Sequence, residues 1–398
     1  MPAAAQYGVS LTLAYKLSAA EYGTLGIFTA YATLAQAFIG LGASATVGRL
    51  AHAQGPFGDR HKDTLLAVFQ VLWTGVILLV LAVLLFGYFQ HQGKLSLLAI
   101  CYGIVFLTAG CLRSLFVFTG ELRGFFWLNL FAAFLSLAIT WVLVSDSPKW
   151  DFRVIAMIAA EGVVAIYAWY WLMARIRAAS SGARSAEATV LVSKCVALAR
   201  ESIPIIPHMI ASSLYLFSDR LVIAQLLGTS EVAVFWFWYQ VFAVFSMGAD
   251  ILVKVVASDL YSAMRSGSIT IAPRILRPFA FSFFFVLLLI WFGVDLTLIN
   301  KFAPEQMAVD RLTLGSLCVG AMAQGVYIIL SQLLFSGAHY RFISVLTFTS
   351  AVFYIALGWV LVTLFGLPGM AVAFAISAIS RVGLMTFFLQ SARFSWKH

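Results

Sequence analysis

A 398-residue chain that is 62% hydrophobic and only 10% charged, with a mean hydropathy of +0.97, is far from the roughly one-half apolar, one-quarter charged mix of soluble domains. Length divided by a soluble domain size is therefore no domain count. The net charge of +9 would suit a nucleic-acid patch, but its placement along the chain gives it another meaning.

About 20 helical residues cross a bilayer core, and only helices or closed barrels satisfy every backbone group in lipid. The apolar runs lack the alternation of barrel strands. They predict an all-α polytopic membrane protein with twelve spans. The first six are Ala3 to Leu17, Tyr22 to Val47, Thr64 to Phe89, Leu95 to Leu115, Phe125 to Val144 and Phe152 to Met173. The second six are Ile203 to Leu227, Val232 to Val256, Phe279 to Ile299, Leu312 to Phe335, Phe342 to Phe365 and Gly369 to Leu389. The first span is short: at 1.5 Å per residue it reaches about 22 Å. Either a partner or a thinned bilayer completes it, or the chain begins part-way through a longer natural helix. No basic segment, apolar core and cleavage site of a signal peptide precedes it.

Orientation follows from Lys and Arg in the short loops. Lys94, Lys149, Arg153, Lys301 and Arg311 fall on one side and Lys16, Arg220 and Arg381 within spans, leaving 17 of the 25 on the side of the N-terminus. Both termini are expected in the cytoplasm, and the positive charge reads as topology with no nucleic-acid partner. Three of the four cysteines, Cys101, Cys111 and Cys318, lie in spans and Cys195 outside, with no C-x-x-C. Histidines are scattered and no glycine-rich phosphate loop is present, so neither a metal, a cofactor nor an ATPase is expected.

A weak internal repeat relates the halves. Leu17-Ser-Ala-Ala-Glu21 aligns with Leu227-Gly-Thr-Ser-Glu231 at an offset of 210, and Leu112, Leu115 and Arg123 align with Leu330, Leu333 and Arg341 at 218. Equivalent spans then share orientation, the pattern of parallel repeats with a site between the halves. The expected division is a six-helix lobe at 1–174, a basic cytoplasmic linker at 175–202 and a second six-helix lobe at 203–398, around a central cavity.

Polar residues inside spans carry the functional signal. The second span places Thr29, Thr33, Gln36, Gly40 and Ser44 on one helical face. The seventh does so with His208, Ser212, Tyr215 and Asp219, and the eighth with Tyr239, Ala243, Ser246, Asp250 and Lys254. Such stripes suit either a water-accessible cavity or interhelical hydrogen bonding by small residues. Asp219, Arg220 and Asp250 favour the cavity, since they would otherwise be isolated charges in lipid. Nearest the midplane are Arg381, about 18 Å into the last span, and Glu161, about 14 Å into the sixth. Arg381 continues the stripe Gly369, Ala373, Ser377, and its offset from Glu161 is 220. A mid-bilayer charge costs roughly 3 kcal/mol on translocon scales, so the pair reads as either a structural ion pair or a functional one.

Tyr15-Lys-Leu-Ser-Ala-Ala-Glu-Tyr-Gly23, followed by the small-residue run Gly40 to Gly48 with Arg49, resembles the first two helices of the polysaccharide-biosynthesis and O-antigen flippases. These belong to the multidrug, oligosaccharidyl-lipid and polysaccharide exporter superfamily. Ile203-Pro-Ile-Ile-Pro207 with Ser218-Asp-Arg-Leu-Val-Ile-Ala-Gln-Leu-Leu-Gly228 resembles the seventh helix of that family, and Gly366-Leu-Pro-Gly-Met-Ala371 its entry to the last helix. The resemblance implies translocation of undecaprenyl-diphosphate-linked oligosaccharide across the bacterial inner membrane for surface polysaccharide or exopolysaccharide assembly. It also implies antiport against protons or sodium, and polysaccharide assembly proteins as partners.

A lipid diphosphate needs fixed positive charge, and arginine offers a bidentate fork that stays charged. Arg220, Arg381, Arg49 and Arg113 are the substrate-binding candidates, with Gln36 and Tyr215 for sugar hydroxyls; Arg49 and Arg113 also suit the cytoplasmic edge. Asp219, Glu161 and Asp250 are the ion-coupling candidates. A glycan polymerase or ligase would need larger outer loops than the roughly four to eleven residues between these spans. A cation-coupled drug exporter of the same superfamily is the nearer alternative, although cationic substrates favour an acidic interior.

Overall fold

The computed structural model describes residues 2–40, 93–118, 122–146, 148–179, 206–253, 300–301, 303–336 and 340–391. Among these the secondary structure is helical, with no strand. In chain order the helices are α1 (Pro2–Leu13), α2 (Ala19–Gly40), α3 (Gly93–Phe118), α4 (Leu122–Asp146), α5 (Trp150–Ala179), α6 (Ile206–Leu226), α7 (Thr229–Phe242), α8 (Val244–Val253), α9 (Arg311–Ser336), α10 (Tyr340–Phe365) and α11 (Leu367–Ser391). The third and ninth expected spans, the 180–202 part of the linker and residues 203–205 of the seventh span lie outside the described residues.

Local chemistry sets the helix ends. Pro2, Pro207 and Pro368 stand in first turns, where a missing N–H loses no intrahelical bond. Ser18 caps α2, its hydroxyl accepting the Glu21 N–H at 3.3 Å. The α6–α7 and α10–α11 turns each need a positive φ, supplied by Gly228 (97°) and Gly366 (65°).

The five stretches Phe126–Ser145, Trp150–Trp171, Arg311–Gln332, Arg341–Phe365 and Leu367–Leu389 are long and apolar enough to cross a membrane. They match the fifth, sixth and last three spans expected from sequence. The eighth span departs from expectation. It is a pair, Thr229–Phe242 and Val244–Val253, bent by 43° at Ala243, whose N–H is shared between the carbonyls of Tyr239 and Gln240. Tyr239 and Asp250 therefore do not lie on one straight helical face, and the stripe read through Ala243 is broken there.

The chain divides into two compact units, one of Met1–Val9 with Phe28–Ser213, the other of Ser10–Ile27 with Leu214–His398. In the first, α5 packs against α3 and α4. Its outward residues are large and apolar, with Trp127, Trp141, Ile166 and Tyr170 exposed, as a lipid-facing surface requires. Arg153 is not the loop charge that its position suggested. It is buried, with one terminal nitrogen donating at 2.8 Å to both Ser136 Oγ and Thr140 Oγ1.

In the second unit α11 packs along α9 and against α10, and α7 joins α9. The start of α2 lies so close to α7 that a Cβ on Gly23 would overlap the Thr229 carbonyl and approach the Ala233 nitrogen. Gly23 and Ala233 are equivalent positions at the 210-residue offset, so the two related hairpins meet at corresponding residues. The short helix Glu305–Met307 ties this region together. Gln306 donates to the Ala14 and Leu17 carbonyls, and Trp238 Nε1 donates to the Met307 carbonyl at 2.6 Å.

Candidate functional site in the second unit

The stripe Gly369, Ala373, Ser377, Arg381 faces into protein, with Ala373, Ser377 and Arg381 at most 1% exposed. On α11 the Arg381 guanidinium lies between two rings, 3.7 Å from the Tyr215 centroid and 3.6 Å from that of Tyr327. Cation–π contact of this kind strengthens when water is excluded. One terminal nitrogen of Arg381 donates to Gln324 Oε1. Among the described residues Arg381 has no carboxylate partner.

The tyrosines are held in turn. Tyr327 and Thr347 share a hydroxyl hydrogen bond of 2.9 Å, and the Thr347 hydroxyl is placed by the Ile343 carbonyl one turn earlier on α10. Tyr215 packs with its ring tilted at 38° and 5.0 Å from that of Tyr354, whose hydroxyl donates to Asp219 Oδ2 at 3.4 Å. Asp219 Oδ1 accepts the Arg220 N–H at 2.6 Å. Asp219 is 1% exposed, so its carboxylate sits wholly within protein.

Arg220 occupies a second aromatic nest, with its Cζ 4.7, 5.7 and 5.4 Å from the rings of Phe217, Trp236 and Tyr239. Rings connect the two arginines. Tyr239 meets Phe374 at 5.6 Å, Phe374 meets Tyr354 at 6.0 Å, and Tyr354 leads to Tyr215 and Arg381. A Cβ on Gly320 would overlap the Phe374 ring, so α9 can approach that ring closely only with glycine there. This cluster thus brings together Arg220, Arg381, the Asp219 carboxylate and a continuous run of aromatic rings from α6, α7, α9, α10 and α11.

Of the residues singled out from sequence, this cluster gathers Arg220, Arg381, Tyr215 and Asp219. Asp250 is half-buried on α8, beyond the bend, while Ser246 on the same helix donates to the Ala321 carbonyl at 3.2 Å. Gln36 is half-buried on the part of α2 that belongs to the first unit, and Glu161 is buried on α5 of that unit. Arg113 lies on α3, and Arg49 lies outside the described residues. His208 and Ser212 approach each other at 3.4 Å one turn below Tyr215.

Gln324, Tyr327 and Tyr354 escaped the reading of the sequence. Their signal was present: Gly320, Gln324, Tyr327 and Ser331 on α9, and Thr347, Ser350, Tyr354 and Gly358 on α10, form small and polar stripes at helical spacing.

No protein-family model and no curated protein matches the chain. Solved structures do. The lipid II flippase MurJ, in an inward closed conformation, matches with a TM-score of 0.71 at 14% identity, covering 98% of this chain and 87% of that one. The fold is that of the MOP-superfamily transporters. A multidrug resistance MATE family transporter of that superfamily, inward-facing, matches with a TM-score of 0.66 at 15% identity over 100% of this chain and 96% of that one. A MOP superfamily transporter from Pyrococcus furiosus, described as having a binding pocket of reverse polarity that suggests a different function, gives 0.57 at 14% identity over 100% and 94%. The chain is accordingly an all-α, multi-pass membrane protein with the fold of these transporters, which have twelve helices in two lobes.

Proposed function

We propose that this protein moves a diphosphate-linked glycolipid, undecaprenyl-diphosphate-linked oligosaccharide, across the bacterial cytoplasmic membrane, coupled to proton or sodium entry. The observation that carries the reading is Arg381: a permanent cation wholly inside the second unit, clamped by two tyrosines and bonded to a neutral amide. A buried charge without an opposite partner is costly. An anionic substrate would compensate it, and the guanidinium fork fits phosphate oxygens better than an ammonium does. Arg220 supplies a second cation, Tyr215 and Gln36 suit sugar hydroxyls, and Asp219, Glu161 and Asp250 suit ion coupling. Arg49 and Arg113 suit recruitment at the cytoplasmic edge.

The likeness to the lipid II flippase supports this reading. The likeness to MATE transporters supports a second one, export of cationic drugs. The two buried arginines favour the first, because they would repel a cation entering the second unit.

Cells lacking the protein should accumulate the lipid-linked glycan in the cytoplasmic leaflet, read by the protection of the glycan from an enzyme added outside spheroplasts. Unchanged exposure of the glycan would contradict the reading. The charge bias of the loops further supports a topology with both termini and the 175–202 linker in the cytoplasm. A thiol reagent that cannot cross membranes should label Ser147→Cys in intact cells and Ser180→Cys only after permeabilisation. Labelling of Ser180→Cys without permeabilisation would reverse the topology.

A further inference from the structure

With Tyr215 on one face of its guanidinium and Tyr327 on the other, Arg381 can hydrogen-bond only through its edge. Part of that edge is taken by Gln324 Oε1, while Nε is buried with no hydrogen-bond partner among the described residues. The other components of the clamp have contacts of their own. Tyr327 is hydrogen-bonded to Thr347, Tyr215 packs tilted against Tyr354, and the arginine itself projects from a buried helical face. Gln324, 5% exposed on α9, is a neutral acceptor bonded to a group that binds carboxylates and phosphates more strongly than amides.

We infer that Gln324 is a placeholder: it holds the hydrogen-bonding edge of Arg381 before substrate arrives, and a phosphate oxygen of the diphosphate takes that edge when substrate binds. This rests on the diphosphate reading above. Tyr215 and Tyr327 are positioning residues, keeping the fork in one plane through the exchange. Neutrality of residue 324 is the requirement that follows. An amide satisfies the buried cation without neutralising it, and so yields to a stronger acceptor. A carboxylate at that place would pair with the guanidinium permanently and exclude the substrate.

The experiment uses the full-length protein in nanodiscs, with binding of inorganic diphosphate measured by calorimetry, binding of undecaprenyl diphosphate by native mass spectrometry, and thermal unfolding as the fold control. Gln324→Glu should weaken the binding of both probes by about tenfold or more with no loss of thermal stability. Gln324→Met, close in shape but without a strong acceptor, should bind them as well as the wild type or better. If Gln324→Glu binds diphosphate like the wild type, or if the wild type binds neither probe, the placeholder is wrong. If Gln324→Met does not fold, the comparison of Gln324→Glu with wild type still decides. Loss of inorganic diphosphate binding alone would assign the edge to a free anion instead of a lipid headgroup and would overturn the inference as stated. Should both variants follow the expected order while the wild type moves no lipid-linked glycan, the flippase reading falls and the placeholder stands.

Discussion

Arg381→Ala should reduce glycolipid translocation by at least about tenfold, because a charge-assisted hydrogen bond contributes roughly 1.5–3 kcal/mol and each 1.4 kcal/mol is a factor of ten. The protein should still insert into the membrane, since the α11 stripe of Gly369, Ala373 and Ser377 is unaltered. Arg381→Lys is the sharper variant. Lysine keeps the positive charge but offers a compact ammonium in place of a planar fork, so it cannot stack between Tyr215 and Tyr327 in the same way or present two parallel donors. Its translocation should fall between those of wild type and Arg381→Ala, with thermal stability above that of Arg381→Ala. Arg220→Ala should follow the same direction, as it removes the cation from the nest of Phe217, Trp236 and Tyr239. Full translocation by Arg381→Lys would show that charge alone suffices.

Asp219→Asn should abolish the dependence of transport on an ion gradient while leaving the fold intact. Asparagine has the size of aspartate, and its carbonyl can go on accepting the Arg220 N–H. What it lacks is the ability to gain and lose a proton, or to offer a charged ligand to sodium. Contact with the Tyr354 hydroxyl survives with that hydroxyl as acceptor, so the α6–α10 connection is preserved. Gradient-driven uptake of glycolipid into inverted vesicles is the measurement, with uptake in the absence of a gradient as the reference. Glu161→Gln is the matching change in the first unit. As a carrier, Glu161 would give the same loss of coupling; as a structural partner, it would give a lower yield of folded protein. Retained coupling in both variants would leave Asp250, half-buried on α8, to carry it.

Helical periodicity made much of this legible. Apolar runs gave the helices around residues 126–171 and 311–389, and the four-residue spacing of Gly369, Ala373, Ser377 and Arg381 gave the buried face of α11. The same spacing puts Tyr215 and Asp219 on one side of α6. Periodicity identifies a face but not the helix opposite it, which is why Gln324, Tyr327 and Tyr354 were passed over although each lies on a stripe of its own. The break at Ala243 has no proline or glycine to announce it in the sequence. Arg153 misled for a different reason. Loop charge rules place a residue by its Cα, whereas this side chain turns inward to Ser136 and Thr140.

The central claim is that the purified protein itself moves a diphosphate-linked glycan from one leaflet to the other. The direct measurement reconstitutes wild type, Arg220→Ala and Arg381→Ala in proteoliposomes carrying undecaprenyl-diphosphate-linked oligosaccharide, and follows the loss of glycan protection from an added glycosidase. Wild type should expose or bury the glycan in response to an imposed ion gradient, and both arginine variants should be strongly impaired. Equal flipping by all three, or gradient-driven efflux of a cationic dye with no movement of the glycolipid, would contradict the account.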